Sequence, residues 1–205
     1  MEHPSIIIDN FLGKSYSDRI LDLTTGPQGF PWSFISTDVT NPFQSNVTQD
    51  FKIGFSNCPL RDEMTNEYFP LFIPMLDSIQ DHLEVKCEFI RLRLSLLLKD
   101  GSNRVYNTPH VDMHDDHYTA LYYINDSDGD THLFEQYDRP IPGSSFIERQ
   151  HKIKVQNYTV NKTISPQKNR LLIFDGHQLH ASSHPKESPF RVVLNINFTT
   201  KDPIF

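Results

Sequence analysis

Phe89-Ile-Arg-Leu-Arg-Leu-Ser-Leu-Leu-Leu98 is the stretch that decides the fold class of this 205-residue chain. Ile90, Leu92, Leu94, Leu96 and Leu98 recur at period two on one face, with Arg91, Arg93, Ser95 and Leu97 on the other. Successive side chains of a strand point to opposite faces, so this pattern predicts a half-buried β-strand. Downstream, further strands are predicted near residues 105–111, 119–124, 131–134, 153–160, 170–174, 180–182 and 191–199. Turn signals punctuate them: Asp100-Gly101, Asp128-Gly129-Asp130, Pro142-Gly143, Asp175-Gly176 and Pro185.

Upstream of this stretch the pattern is mixed. Residues 5–8 read as a short strand. Ser15 or Ser17 can cap a helix running through Asp22, which Gly26-Pro27 and Gly29 end. Strand resumes at residues 30–35. Residues 36–57 are polar and read as a long loop with room for one strand. Residues 61–83 are helical in pattern, with Pro70 and Pro74 expected to break or kink the helix and residues 77–83 its surest part. Two helices followed by about eight short strands predict a mainly β (α+β) fold. The architecture expected is a double-sheet jelly roll, cupin-like, with the N-terminal helices packed outside it. The chain reads as one domain, residues 1–84 supporting a core over residues 85–200.

Composition narrows the function. The net charge of -7 disfavours an electrostatic grip on nucleic acid. Cys58 and Cys87 are the only cysteines, and they read as free thiols of a reducing compartment. Ile6-Ile7-Ile8 is too short for the apolar core of a signal peptide, and no apolar run reaches the ~18 residues of a membrane span. The expectation is a cytoplasmic protein without a membrane partner.

The chemistry concentrates in two stretches. Thr108-Pro-His-Val-Asp-Met-His-Asp-Asp-His117 carries His110 and Asp112 two residues apart. On a strand such a pair projects to one side. His114 and Asp116 repeat the spacing, but residues 114–117 form a polar cluster that reads as solvated loop. Far downstream, Phe174-Asp-Gly-His-Gln-Leu-His-Ala-Ser-Ser-His184 offers His177, His180 and His184. His177 directly follows a turn and His184 directly precedes Pro185. His180 opens a run of small residues that allows close packing. Two imidazoles and one carboxylate on one face form the facial triad that leaves open positions on Fe(II). Arg191, eleven residues after His180, opens Arg-Val-Val-Leu-Asn-Ile-Asn-Phe198 and could bind a carboxylate bidentately.

The order of these motifs carries a resemblance. His110-Val-Asp112, Leu121-Tyr-Tyr-Ile-Asn-Asp126, Gly129-Asp-Thr-His-Leu-Phe134, Phe174-Asp-Gly176 with His180, and Arg191 to Phe198 resemble the 2-oxoglutarate and Fe(II)-dependent dioxygenases. The prolyl-hydroxylase-like group, with its small bacterial and phage members, looks the nearest branch. The resemblance implies a double-stranded β-helix with His110, Asp112 and His180 as iron ligands. It implies Arg191 as partner of the distal carboxylate of 2-oxoglutarate, with Tyr123 bonding the same carboxylate and Thr131 lining the pocket. Asn195 stands where the family often carries a hydroxyl residue, so it departs from the pattern at a cosubstrate-facing position. The implied activity uses Fe(II), 2-oxoglutarate and O2, with ascorbate in support, and hydroxylates a C–H bond with release of succinate and CO2. The implied substrate is a prolyl or other amino-acid residue in a peptide, or a small molecule. A phage-encoded enzyme acting in a host cytoplasm fits the same resemblance. The other reading is a metal-binding cupin-like module or degenerate oxygenase without turnover, against which Arg191 argues. For substrate selection the candidates are residues 36–57, 113–117 and 136–150, which should surround the mouth of the barrel.

Overall fold

The computed structural model describes residues 4–35, 54–99, 101, 105–139 and 157–205. Eleven strands and two helices form in the order β1 (Ser5–Ile8), α1 (Lys14–Thr25), β2 (Ser33–Ile35), β3 (Gly54–Arg61), β4 (Met64–Thr65), α2 (Phe69–Leu83), β5 (Cys87–Leu98), β6 (Tyr118–Tyr123), β7 (Thr131–Tyr137), β8 (Val160–Ile164), β9 (Arg170–Asp175), β10 (Gln178–Ser182) and β11 (Phe190–Thr200). The larger sheet has the order β1-β9-β6-β11-β5-β3-β2, with β4 paired to β3. The smaller has the order β10-β7-β8, and every pairing is antiparallel.

Alternation in the central strands sorts the side chains. Leu92, Leu94, Tyr122, Leu171, Ile173, Val192, Leu194, Ile196 and Phe198 form one core with Ile20 of α1 and Phe72, Met75 and Ile79 of α2. The helices thus cover the outer face of the larger sheet. Leu121, Tyr123, Leu172, Phe174 and Val193 turn the other way and meet Leu133 and Ile164 of the smaller sheet. Period two in β5 is therefore real, but its polar face is not the solvated half of a half-buried strand. It lines the space within the barrel, and the Arg91 side chain there is 16% exposed.

Several local expectations change. α1 begins after Gly13 with no side-chain cap, and Ser17 is buried beside Tyr122 instead of capping. The helix outlasts Asp22 because Gly26 ends it, where a Cβ would lie 2.2 Å from the Asp22 carbonyl oxygen. The strand expected over residues 30–35 forms only at its end. β3 begins at Gly54, within the loop expected to have room for one strand, and includes Arg61, expected as the helix start, while residues 36–53 lie outside the described residues. α2 starts at Phe69, not Arg61, and runs through Pro74 unbroken. An interior proline costs about 3 kcal/mol. Burial of Phe72, Met75, Leu76 and Ile79, at about 1.5–3 kcal/mol each, exceeds that cost. Pro70 sits in the first turn, where its missing N–H costs no hydrogen bond. β8 covers the end of the strand expected at residues 153–160, of which 153–156 fall outside the described residues. No described helix is long and apolar enough to cross a membrane.

Residues 105–111, expected as a strand, form none. They run beside β10 with an isolated bridge between His110 and His180 and one bond from the Asn107 N–H to the Ser182 carbonyl, 2.8 Å. In register with His110 and His180, Thr108 would face Ser182, but the Asn107 N–H is the group that bonds to Ser182, and this one-residue slip leaves no regular ladder.

Candidate metal centre

His110, Asp112 and His180 come together, with one ligand atom from each within 4.8 Å of the other two. β10 supplies His180, and the His110 backbone is tied to it by N–H to carbonyl bonds of 3.0 Å in both directions. The ring centroids then lie 4.6 Å apart. Asp112 follows on irregular chain, not on a strand as expected, and its Oδ2 reaches to 3.6 Å from His180 Nε2.

The imidazoles are set for a metal. His110 Nδ1 lies 3.0 Å from the Thr108 carbonyl and His180 Nδ1 3.3 Å from the Gln178 carbonyl. A carbonyl only accepts, so each Nδ1 carries a proton, and Nε2 is the nitrogen that the neutral ring offers to a metal. Burial pushes the His180 imidazole below its usual pKa against the pull of Asp112, which favours the neutral, ligating form. Asp112 is the opposite case. Burial alone would raise its pKa, but Arg91 first, then His180 and His110, and the Asn195 amide hold it well below the carboxylate range. Two imidazoles that each offer Nε2 and one carboxylate, all close enough for a single ion, fit Fe(II).

The carboxylate is held from several sides. Arg91 Nη2 donates to Oδ1 at 2.8 Å. Oδ2 accepts from Asn195 Nδ2 at 2.9 Å and Asn197 Nδ2 at 3.1 Å, with Thr119 Oγ1 at 3.4 Å. Arg91, Asn197 and Thr119 were not read as site residues from the sequence. The available signal was register: Arg91 faces Asn197, and Asn197 faces Thr119, across three neighbouring strands. Asn195 was expected to face the cosubstrate; its amide donates to Asp112, and its Oδ1 is buried without a hydrogen-bond partner.

Arg191, at the other end of the same face of β11, is 4% exposed. Its Nη2 donates to Thr131 Oγ1 at 2.8 Å, the atom that the Tyr123 hydroxyl also meets at 2.8 Å. The guanidinium lies 5.8 Å from the Tyr123 ring centroid. Its Nε has no partner, and it forms no ion pair with a carboxylate among the described residues. Burial depresses its pKa, yet a guanidinium stays charged in a protein. A buried cation of this kind is stabilised by an anion. The surroundings fit one end of a small carboxylate, with Thr131 and Tyr123 beside it.

The two other candidates for the distal ligand are engaged elsewhere. His184 Nδ1 is 2.9 Å from the Leu98 carbonyl. His177 is buried with Nε2 2.9 Å from Asp116 Oδ1. Residues 114–116 are exposed as expected, but His117 is buried, its ring against Gly176, where a Cβ would lie 2.3 Å from ring atoms. The Asp175-Gly176 turn therefore needs glycine for space. Of the substrate-loop candidates, Gln136 and Tyr137 end β7 and Arg139 pairs with Asp175. Residues 140–150 lie outside the described residues, as do 36–53.

No protein-family model matches this chain, and no curated protein sequence does. Solved structures do. A 2OG-Fe(II) oxygenase family oxidoreductase from Burkholderia pseudomallei matches at TM-score 0.61 and 10% identity, over 95% of this chain and 84% of that one. The epimerase SnoN in complex with Fe3+, alpha ketoglutarate and nogalamycin RO matches at 0.62 and 9%, over 97% and 79%. A prolyl hydroxylase from Trichoplax adhaerens, in complex with a hypoxia inducible factor oxygen degradation domain peptide fragment, matches at 0.55 and 18%, over 95% and 82%. The chain has the double-stranded β-helix fold of the 2-oxoglutarate/Fe(II) oxygenases.

Proposed function

We propose that this protein is a 2-oxoglutarate-dependent Fe(II) dioxygenase that hydroxylates a C–H bond, with a prolyl or other amino-acid residue of a peptide as the leading substrate class. The observation that carries the reading is the pairing of two features on one barrel interior. His110, Asp112 and His180 form a three-ligand cluster with both Nε2 atoms turned to it, and the buried Arg191 forms no ion pair with a carboxylate among the described residues. A metal held for structure alone has no use for a buried guanidinium clamp.

His110 Nε2, Asp112 Oδ2 and His180 Nε2 would hold the iron. Arg191 would pair with the far carboxylate of 2-oxoglutarate, with Tyr123 and Thr131 steadying the same group. Ferrous iron bound there supplies, with 2-oxoglutarate and O2, oxidative decarboxylation to succinate and CO2 and transfer of one oxygen atom to the substrate. The protein's residues do the rest. The Thr108 and Gln178 carbonyls fix the imidazole tautomers. Leu121, Tyr123, Leu172, Phe174 and Val193 wall off water between the sheets. The peptide in the Trichoplax hydroxylase supports a peptide substrate, while the SnoN complex keeps a small molecule in play.

The test has two stages. Fe(II) and 2-oxoglutarate added without oxygen should give a metal-to-ligand charge-transfer band. A peptide and metabolite screen under air should then give succinate with a +16 mass shift in the substrate. A protein that binds Fe(II) but gives no charge-transfer band with 2-oxoglutarate is a metal-binding module instead.

A further inference from the structure

We infer that Arg91 is a positioning residue for the metal-binding carboxylate, holding Asp112 so that a single oxygen faces the two imidazoles. The inference rests on the metal reading above and extends it to a residue outside the ligand set. The two carboxylate oxygens have different surroundings. Oδ1 is taken by Arg91 Nη2 at 2.8 Å and points away from the imidazoles, while Oδ2, which accepts from the Asn195 and Asn197 amides at 2.9 and 3.1 Å, is the oxygen that lies 3.6 Å from His180 Nε2. Arg91 also acts through Asn197. Its Nε donates to Asn197 Oδ1 at 2.9 Å, and that leaves the Asn197 amide N–H groups for Asp112 Oδ2 at 3.1 Å and Thr119 Oγ1 at 3.1 Å. Arg91, Asp112 and Asn197 therefore close a ring of hydrogen bonds across β5, β11 and the irregular chain that bears Asp112. The side chains of the ion pair are only 16% and 7% exposed, so solvent does little to loosen it.

Two effects of Arg91 on a metal oppose each other. Its positive charge repels a dication nearby. Its grip keeps Oδ1 engaged, which fixes the carboxylate rotamer and favours one-oxygen binding. One-oxygen binding leaves an extra coordination position for other ligands. Hydrogen-bond partners of metal ligands typically contribute 10- to 100-fold to metal affinity. Orientation should therefore outweigh repulsion, and losing Arg91 should weaken metal binding.

The experiment titrates the metal-free protein with Co(II) by calorimetry and records thermal melting of the same samples. Arg91→Met should bind Co(II) about 10- to 100-fold more weakly than the parent. Arg91→Lys, which keeps the charge but cannot reach both Asp112 and Asn197, should fall between the two. Unchanged or tighter Co(II) binding by Arg91→Met overturns the inference, and a lowered melting temperature with unchanged affinity makes Arg91 a structural residue only. If Arg91→Met does not fold, Arg91→Lys decides: weaker binding at parental melting temperature supports the role, and parental affinity overturns it. Failure of the parent itself to bind Co(II) removes the metal centre and this inference together, a result distinct from a parent that binds and a variant that does not differ.

Discussion

His110 and His180 exchange both of their backbone hydrogen bonds, N–H to carbonyl, at 3.0 Å each way. This bridge, with the bond from the Asn107 N–H to the Ser182 carbonyl, holds the His-Val-Asp segment at the edge of β10. Because it uses the backbone, it leaves both rings free to converge, and it holds regardless of which side chains sit there.

It follows that removing either ring should empty the metal site without undoing the fold. His110→Ala and His180→Ala should lose tight Fe(II) binding in an anaerobic titration, while His114→Ala, His177→Ala and His184→Ala keep it. Loss of iron in His177→Ala with retention in His180→Ala would assign the distal ligand to the wrong histidine.

Arg191 should matter to the cosubstrate and not to the metal. Breaking a desolvated charge pair costs about 2–5 kcal/mol. Arg191→Met should raise the 2-oxoglutarate dissociation constant by well over tenfold, read from the charge-transfer band, and leave Fe(II) affinity near the parent's. An unaltered 2-oxoglutarate titration would leave the buried guanidinium without its proposed ligand.

Acid should destabilise the metal-free protein well above the carboxylate range. Burial lowers the pKa of His117, His132 and His180 in the fold. In the unfolded chain each takes up a proton near pH ~6.5. Below that pH the unfolded state binds more protons than the folded one, so stability falls as pH falls. The Asp112 contribution has the same sign but sits lower, present above about pH 4 and lost as pH drops toward its depressed folded pKa. Calorimetric melting of metal-free protein should show a decline from pH 7.5 to 5.5. A flat or rising trend over that span would contradict the burial of these imidazoles.

Asn169 is a stability site remote from the chemistry. It sits at φ 65° between β8 and β9, and its side chain accepts from the Leu12 N–H and donates to the Leu12 carbonyl, both at 2.8 Å. The Tyr122 hydroxyl lies 3.1 Å from its Oδ1. Alanine would strand two buried backbone groups, at about 1–3 kcal/mol each, and it tolerates the left-handed region less well than asparagine does. Asn169→Ala should lower the urea midpoint by the equivalent of roughly 3 kcal/mol or more. A loss under 1 kcal/mol would mean that water replaces the side chain.

Gly176 should resist even alanine. The added Cβ would fall 2.3 Å from the buried His117 ring. Overpacking of that kind costs about 1–3 kcal/mol. Gly176→Ala should melt earlier than the parent, and equal melting would show that the His117 ring can swing aside.

Much was legible in the sequence because it depended on near neighbours in the chain. Period two in Cys87–Leu98 and the apolar runs of β6, β9 and β11 fixed which strands form, since alternation is a local property of extended backbone. The order of His110, Asp112, His180 and Arg191 along the chain carried the likeness to one fold. What local reasoning could not weigh was competition with tertiary contacts. α2 keeps Pro74 because burial outweighs one lost hydrogen bond, and residues 105–111 fail to become a strand because their pairing with β10 slips by a residue between His110 and Asn107. The surroundings of Asp112 lay furthest from view. Arg91 is 21 residues from it, Asn195 83 and Asn197 85. Nothing in a strand's own pattern says which of its two faces will look on solvent and which on a charged site. That choice is made when the second sheet closes over the first: a polar face then becomes an interior, and a buried charge there must find its partner across the barrel.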